Sequence, residues 1–191
     1  MRLYIVGGPG SGKSSLADAL SARTGTAALH LDDHWDRLFA RDETGSPTAD
    51  ALAFRERLIG EQLRRDAWIV EGAEPPFVDT LAAASDLIVW CDVPFGVAAF
   101  RMIRRHVIAD LSRSNRFPGY RRLWRFLRSV RQRYDAPIDP RVPEWTKWTR
   151  ARVQLAAQPY GHKLVKSRGG NDAREVGAVT QAAERAELST M

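Results

Sequence analysis

Gly7-Gly8-Pro9-Gly10-Ser11-Gly12-Lys13-Ser14 follows the apolar run Leu3-Tyr4-Ile5-Val6 and precedes Ser15-Leu16-Ala17-Asp18-Ala19-Leu20, which has helical spacing. The order is strand, glycine-rich turn, helix, and the spacing G-x-x-x-x-G-K-S is that of a phosphate-binding loop. Glycines let successive backbone N–H groups converge on an anion where a side chain would block the approach. The helix that starts at the loop directs its N-terminal partial positive charge at the same anion. On this reading Gly8, Pro9, Gly10, Ser11, Gly12, Lys13, Ser14 and Ser15 hold the phosphates of ATP. Lys13 reaches the β- and γ-phosphates, and the Ser14 hydroxyl ligates Mg²⁺.

The rest of the chain suits a single compact domain spanning residues 1–191. No apolar run approaches membrane-spanning length, and a loop so close to the start leaves no room for a signal peptide. A cytoplasmic location is expected. The single cysteine, Cys91, lies in an apolar run and reads as a small core residue. The formal charge of +6 is uneven. Arg101, Arg104, Arg105, Arg113, Arg116, Arg121, Arg122, Arg125, Arg128, Arg131 and Arg133 crowd one segment whose only carboxylate is Asp110. Such an excess calls for an anionic partner, either nucleotide phosphates or nucleic acid.

Strand and helix alternate along the chain. Residues 26–31 read as a second strand ending at Asp32-Asp33, and Ser46-Pro47 as an N-cap with proline at the first helical position. Leu52, Phe54, Leu58, Ile59 and Leu63 give the following helix an apolar stripe. Ala67-Trp68-Ile69-Val70 reads as a third strand ending at Glu71-Gly72. A short helix, residues 77–84, then leads to a fourth strand, 87–91, ending at Asp92. Pro94 and Phe95 open a helix that carries Ala98, Ala99, Phe100 and Ile103 into the arginine-rich segment. Its middle, 112–119, is polar and holds a Pro-Gly pair, so a loop is expected. Leu123, Trp124, Phe126, Leu127 and Val130 then resume helical spacing, which marks the two aromatics as core. Three prolines between 137 and 143 precede a helix near 145–157, a fifth strand at 163–166, and a final helix from about 172, either docked or frayed. Near-continuous apolar strands of this kind indicate a parallel sheet covered on both faces, an α/β doubly wound architecture. Ligands of such sheets bind outside the carboxyl ends of the strands.

That rule singles out the acids closing predicted strands: Asp32, Asp33, Glu71 and Asp92. A carboxylate there can hold a Mg²⁺-bound water or take a proton from an attacking hydroxyl. Asp32 is the best candidate for general base and Glu71 for metal or substrate contact, while Asp92 is the best candidate for a structural role. Trp35 stands where an acceptor would enter, able to stack on a ring or simply to pack the core edge. Arg55 lies on the helix that would cover the acceptor and could clamp an anion.

The loop, the segment Leu29-His30-Leu31-Asp32, the segment Trp68-Ile69-Val70-Glu71-Gly72 and the Asp92-Val93-Pro94 turn with its basic helix occur together in one group. In these segments the chain resembles the adenylate-kinase-like small P-loop kinases, of nucleoside-monophosphate-kinase type, and most closely the "topology modulation protein" group. The resemblance implies a three-layer α/β/α fold around a five-stranded parallel sheet of order 2-3-1-4-5, with an arginine-rich lid at about 104–122. It implies that Asp32 meets the phosphoryl acceptor, that Glu71 sits near Mg²⁺ beside Gly72, and that Arg101, Arg104 and Arg105 approach the transferring phosphate. A zinc-bound lid is excluded by the lone cysteine, and no N-K-x-D guanine signature occurs. Two functions are expected to compete. One is a kinase acting on an unidentified small-molecule acceptor. The other is a nucleotide-dependent nucleic-acid-binding protein that uses the segment from Arg113 to Arg133.

Overall fold

In the computed structural model, which describes residues 1–72, 75–115, 117–136 and 149–188, five parallel strands form one sheet. They are β1 (Arg2–Gly7), β2 (Ala28–His30), β3 (Trp68–Glu71), β4 (Leu87–Cys91) and β5 (Leu164–Ser167), in the order β2-β3-β1-β4-β5. Alternation along the strands sorts the core. Tyr4, Val6, Trp68, Val70, Ile88 and Trp90 face one side, and Leu3, Ile5, Ile69, Leu87, Val89 and Cys91 face the other. Both faces are covered, which is why the strands read as almost unbroken apolar runs.

On the first face lie α3 (Ala49–Leu63), α4 (Pro75–Ala84), α6 (Tyr120–Asp135) and α7 (Arg150–Ala157), through Phe54, Ile59, Phe77, Leu81, Leu127, Val130 and Val153. On the second lie α1 (Lys13–Thr24) and α8 (Ala173–Leu188), through Leu16, Leu20, Val176, Val179 and Ala183. The final helix is therefore docked. Between β2 and α3 come a 3₁₀ turn (Leu31–His34) and the short α2 (Trp35–Leu38); α5 (Phe95–Leu111) links β4 to the 112–119 connection and α6.

Several expectations are corrected. The second strand is shorter than 26–31, and Asp32 and Asp33 fall in the 3₁₀ turn beyond it. The cap of α3 is Thr48, whose hydroxyl accepts from the Ala51 N–H at 3.2 Å. Ser46 is held instead in a turn closed by Asp42, whose carboxylate accepts from the backbone of Thr44 and Ser46 at 2.9 and 3.0 Å. Leu52, Phe100 and Ile103 face solvent, while Ala51 and Met102 are buried at the core positions of those helices. Most consequentially, Trp124 is 70% exposed and Phe126 is exposed too. Leu127, Val130 and Tyr134 already fill the inner side of α6, and the two aromatics fall on either flank of it. The proline-rich stretch and the start of the helix expected near 145 lie outside the described residues. Among the described residues, no helix is long and apolar enough to cross a membrane.

Candidate nucleotide and phosphoryl-transfer site

Register brings the chemistry to one sheet edge. Ile5 pairs with Glu71, His30 with Glu71, and Gly7 with Cys91, so the carboxyl ends of the central strands converge beneath the glycine loop. Here the strand order changes direction on either side of β1, the place where an open α/β sheet leaves a crevice. The loop turns through Gly10 (φ +76°) and Gly12 (φ +90°) and closes with the Ser11 N–H donating to Gly8 O at 3.1 Å. A Cβ on Gly12 would stand 2.6 Å from the Gly170 nitrogen, so both conformation and space require glycine.

A cleft of about 1120 Å³ opens over the loop. Gly8, Pro9, Gly10, Gly12, Lys13, Ser14 and Ser15 form its floor. Asp32, Asp33, Trp35 and Asp36 form one wall, and Arg101, Arg104 and Arg105 line it from α5. Ser11 lies buried beneath, its carbonyl accepting from Arg101 Nη1 at 2.6 Å. The same nitrogen donates to Arg168 O at 3.0 Å, and the Gly170 N–H donates to Gly12 O at 2.9 Å. Arg101 thus ties the phosphate loop to the turn after β5.

At the mouth of the loop stands a polar network. Lys13 Nζ lies 3.1 Å from Asp32 Oδ2 and 3.3 Å from Glu71 Oε2. Ser14 Oγ donates to Glu71 Oε1 at 3.0 Å, and His30 Nδ1 lies 2.9 Å from the same oxygen. His30 Nε2 in turn faces Asp18 at 3.1 Å. Glu71 is only 1% exposed. Burial alone would lower the Lys13 pKa, but the charges of Glu71 and Asp32 and their hydrogen bonds outweigh it and hold the ammonium above its usual value. His30 behaves alike: burial lowers its pKa, and Glu71, Asp18 and Asp33 raise it on balance. Cys91, below the loop, has its thiol pushed up to about 12, chiefly by burial, which makes it inert as a nucleophile.

The donor set fits a hard cation. Glu71 Oε2 is buried with the Lys13 ammonium 3.3 Å away as its charged partner, and the Ser14 hydroxyl sits beside the other oxygen of the same carboxylate. Hydroxyl and carboxylate oxygens are what Mg²⁺ takes from a protein that supplies few ligands and leaves the rest to phosphate and water.

Two of the expected site residues, Arg55 and Gly72, stand elsewhere. Arg55 is buried, with Nε donating to Leu38 O at 2.6 Å, and is not on the cleft wall; it braces α2 against α3. Gly72 lies behind the wall, its carbonyl accepting from the buried Tyr4 hydroxyl at 3.0 Å. Asp92 is paired with Arg150 at 2.7 Å and with Lys166 at 3.7 Å, in keeping with a structural role. Trp35 packs its ring on Phe39, 4.3 Å between centroids, at the edge of the core, and is also 48% exposed and lines the cleft. Lining residues that sequence reasoning did not place are Phe126 and Arg133 on α6 and the turn Gly169-Gly170-Asn171-Asp172. The turn carried a signal, a glycine pair directly after a strand; Phe126 carried none, because its spacing mimics core.

The AAA_28 profile, described as an AAA domain, matches residues 2–171. No curated protein matches the chain by sequence. Among solved structures, a protein from Chloroflexus aurantiacus described as a candidate kinase is 19% identical, with 99% of this chain and 97% of that one covered and a TM-score of 0.54. A gluconokinase from Sinorhizobium meliloti is 18% identical, covering 98% and 91%, with a TM-score of 0.47. A shikimate kinase from Bacteroides thetaiotaomicron is 15% identical, covering 100% and 99%, with a TM-score of 0.49. At 19% identity the likeness to the Chloroflexus structure is one of fold alone, and the sheet has the expected order.

Proposed function

The chain belongs to the AAA-domain family matched over residues 2–171, and from that premise we propose that it is a kinase. It transfers the γ-phosphoryl group of ATP, with Mg²⁺, to a hydroxyl of a small-molecule acceptor. The observation that carries this reading is Lys13 held between Asp32 and Glu71 at the floor of a cleft walled by arginines.

The geometry supports a definite sequence of contacts. Bound triphosphate draws Lys13 Nζ away from Asp32 Oδ2, because phosphate oxygens carry more charge than one solvated carboxylate. The freed Asp32, on the wall facing the loop, then accepts the proton of the attacking hydroxyl. The acceptor oxygen bonds to the γ-phosphorus as its bond to the β-phosphate oxygen breaks, and ADP leaves. Arg104 and Arg105 on α5 and Arg133 on α6 line the same cleft and oppose the charge on the equatorial oxygens. Arg101 contributes charge at the same place, while its Nη1 keeps the Ser11 carbonyl turned away from the phosphates. Ser14 and Glu71 would hold Mg²⁺, which neutralises phosphate charge and orients the leaving oxygen. The lid expected at about 104–122 would close over the triphosphate and exclude water. Trp35 supports an acceptor with a flat or ring-shaped face. The finer kinship with adenylate-kinase-like topology modulation proteins rests on the His30-Leu31-Asp32 and Trp68-Ile69-Val70 segments, and a cytoplasmic setting on the lone, buried Cys91.

Two variants test the assignment. Lys13→Ala abolishes transfer. Asp32→Asn retains ATP binding and slows transfer by about 10²–10⁴-fold, the usual contribution of a general base. An Asp32→Asn protein that transfers at the normal rate removes Asp32 from that role.

A further inference from the structure

The outer face of α6 breaks a local rule with no compensation among the described residues. Arg121, Trp124, Arg125 and Arg128 stand at i, i+3, i+4 and i+7, one contiguous face, and all four are exposed. Like charges at this spacing repel by a few tenths of a kcal/mol per pair, and from Leu111 to Tyr134 the sequence contains no Asp or Glu. Among the described residues no carboxylate pairs with any of these three guanidiniums. Trp124 is 70% exposed, and Tyr120, one turn earlier, is exposed with one side of its ring toward His106, 5.7 Å between centroids. Arrangements that contradict local stability usually mark function.

We infer that this face binds single-stranded nucleic acid. Arginines spread over roughly 10 Å of helix axis suit a run of backbone phosphates, and two aromatic faces a turn apart suit stacked bases. A lipid surface fits worse. Membrane binding by a basic helix submerges its apolar side, and here Leu127, Val130 and Tyr134 are already buried in the protein core. The face is separate from the cleft, whose α6 lining is Phe126 and Arg133, and the inference does not depend on the transfer reaction.

The test is fluorescence anisotropy of the full-length protein with labelled oligo(dT), oligo(rU) and a duplex of equal length, beside vesicles containing phosphatidylserine. Single strands of either sugar should bind more tightly than duplex. The log–log salt slope should be near −2, about −0.7 for each of three phosphates neutralised. Trp124→Ala should weaken single-strand binding about 5- to 100-fold, the usual effect of losing one stacked base. Trp124→Phe should restore most of it, with ATP affinity unchanged in both. The triple Arg121, Arg125 and Arg128→Ala variant should flatten the salt slope, with its melting temperature checked against the parent. Binding to vesicles but not to oligonucleotides overturns the inference, as does a Trp124→Ala protein that binds single strands normally.

Discussion

Replacing Glu71 by glutamine keeps the shape of the side chain and removes the charge at the centre of the polar network. The carboxylate is 1% exposed and accepts from Ser14 Oγ at 3.0 Å, meets His30 Nδ1 at 2.9 Å, and faces Lys13 Nζ at 3.3 Å. A hydrogen bond to a charged group contributes about 1.5–3 kcal/mol, and breaking a buried ion pair costs about 3–5 kcal/mol. Lys13 keeps Asp32, whose side chain is 53% exposed and solvated, so the upper limit is not reached. The expected loss is about 2–4 kcal/mol, and at roughly 2–4 °C per kcal/mol for a domain of this size the melting temperature falls by about 4–16 °C. Thermal unfolding by circular dichroism, without nucleotide, measures it. An unchanged or raised melting temperature would refute the reasoning. It would mean that desolvating the carboxylate costs more than its partners return, and that Glu71 is retained for activity against stability.

Three further outcomes follow from the geometry. Gly12→Ala places a Cβ against the Gly170 nitrogen at a positive φ, and equilibrium binding of a fluorescent ATP analogue should show affinity lost by at least tenfold. Tyr4→Phe removes the buried bond to Gly72 O and should cost about 1–2 kcal/mol in urea unfolding, with no change in ATP affinity. The His30 pKa lies above its ordinary value, because Glu71, Asp18 and Asp33 outweigh burial. The folded state therefore binds that proton more tightly than the unfolded chain, and the stabilisation is complete below about pH 6.5 and lost as pH rises through the higher folded value. The melting-temperature gap between the parent and His30→Gln should shrink as pH is raised above that point; a gap that widens contradicts the sign.

What the sequence made legible was whatever depends on short-range pattern. The phosphate loop, the five strands and their two-sided burial follow from contiguous residues, and the sheet order follows from the resemblance those residues carry. Lys13, Ser14, Asp32 and Glu71 converge because strand ends and one loop share an edge, a rule that needs no coordinates. Identities of neighbours across the fold were less accessible. Arg55 sits on the expected helix, yet a backbone carbonyl 17 positions away holds it in the interior. His30 earned notice only as part of a motif, because its role depends on β2–β3 register, which sets it opposite Glu71. Helical spacing marked Trp124 and Phe126 as core along with Leu127 and Val130; a helix whose apolar arc is wider than its buried side leaves its flanks in water. The turn after β5 reaches the loop only through tertiary packing, against Gly12 and Arg101.

The most direct test of the account is ADP production by the purified protein with ATP and Mg²⁺, alone and against nucleosides, nucleoside monophosphates and small hydroxylated metabolites, with phosphate incorporation followed on each candidate. The account predicts slow turnover alone and a many-fold rise with one class of acceptor, which itself gains the phosphate, and no rise with Lys13→Ala. Tight ATP binding with turnover that no acceptor stimulates would contradict the kinase assignment.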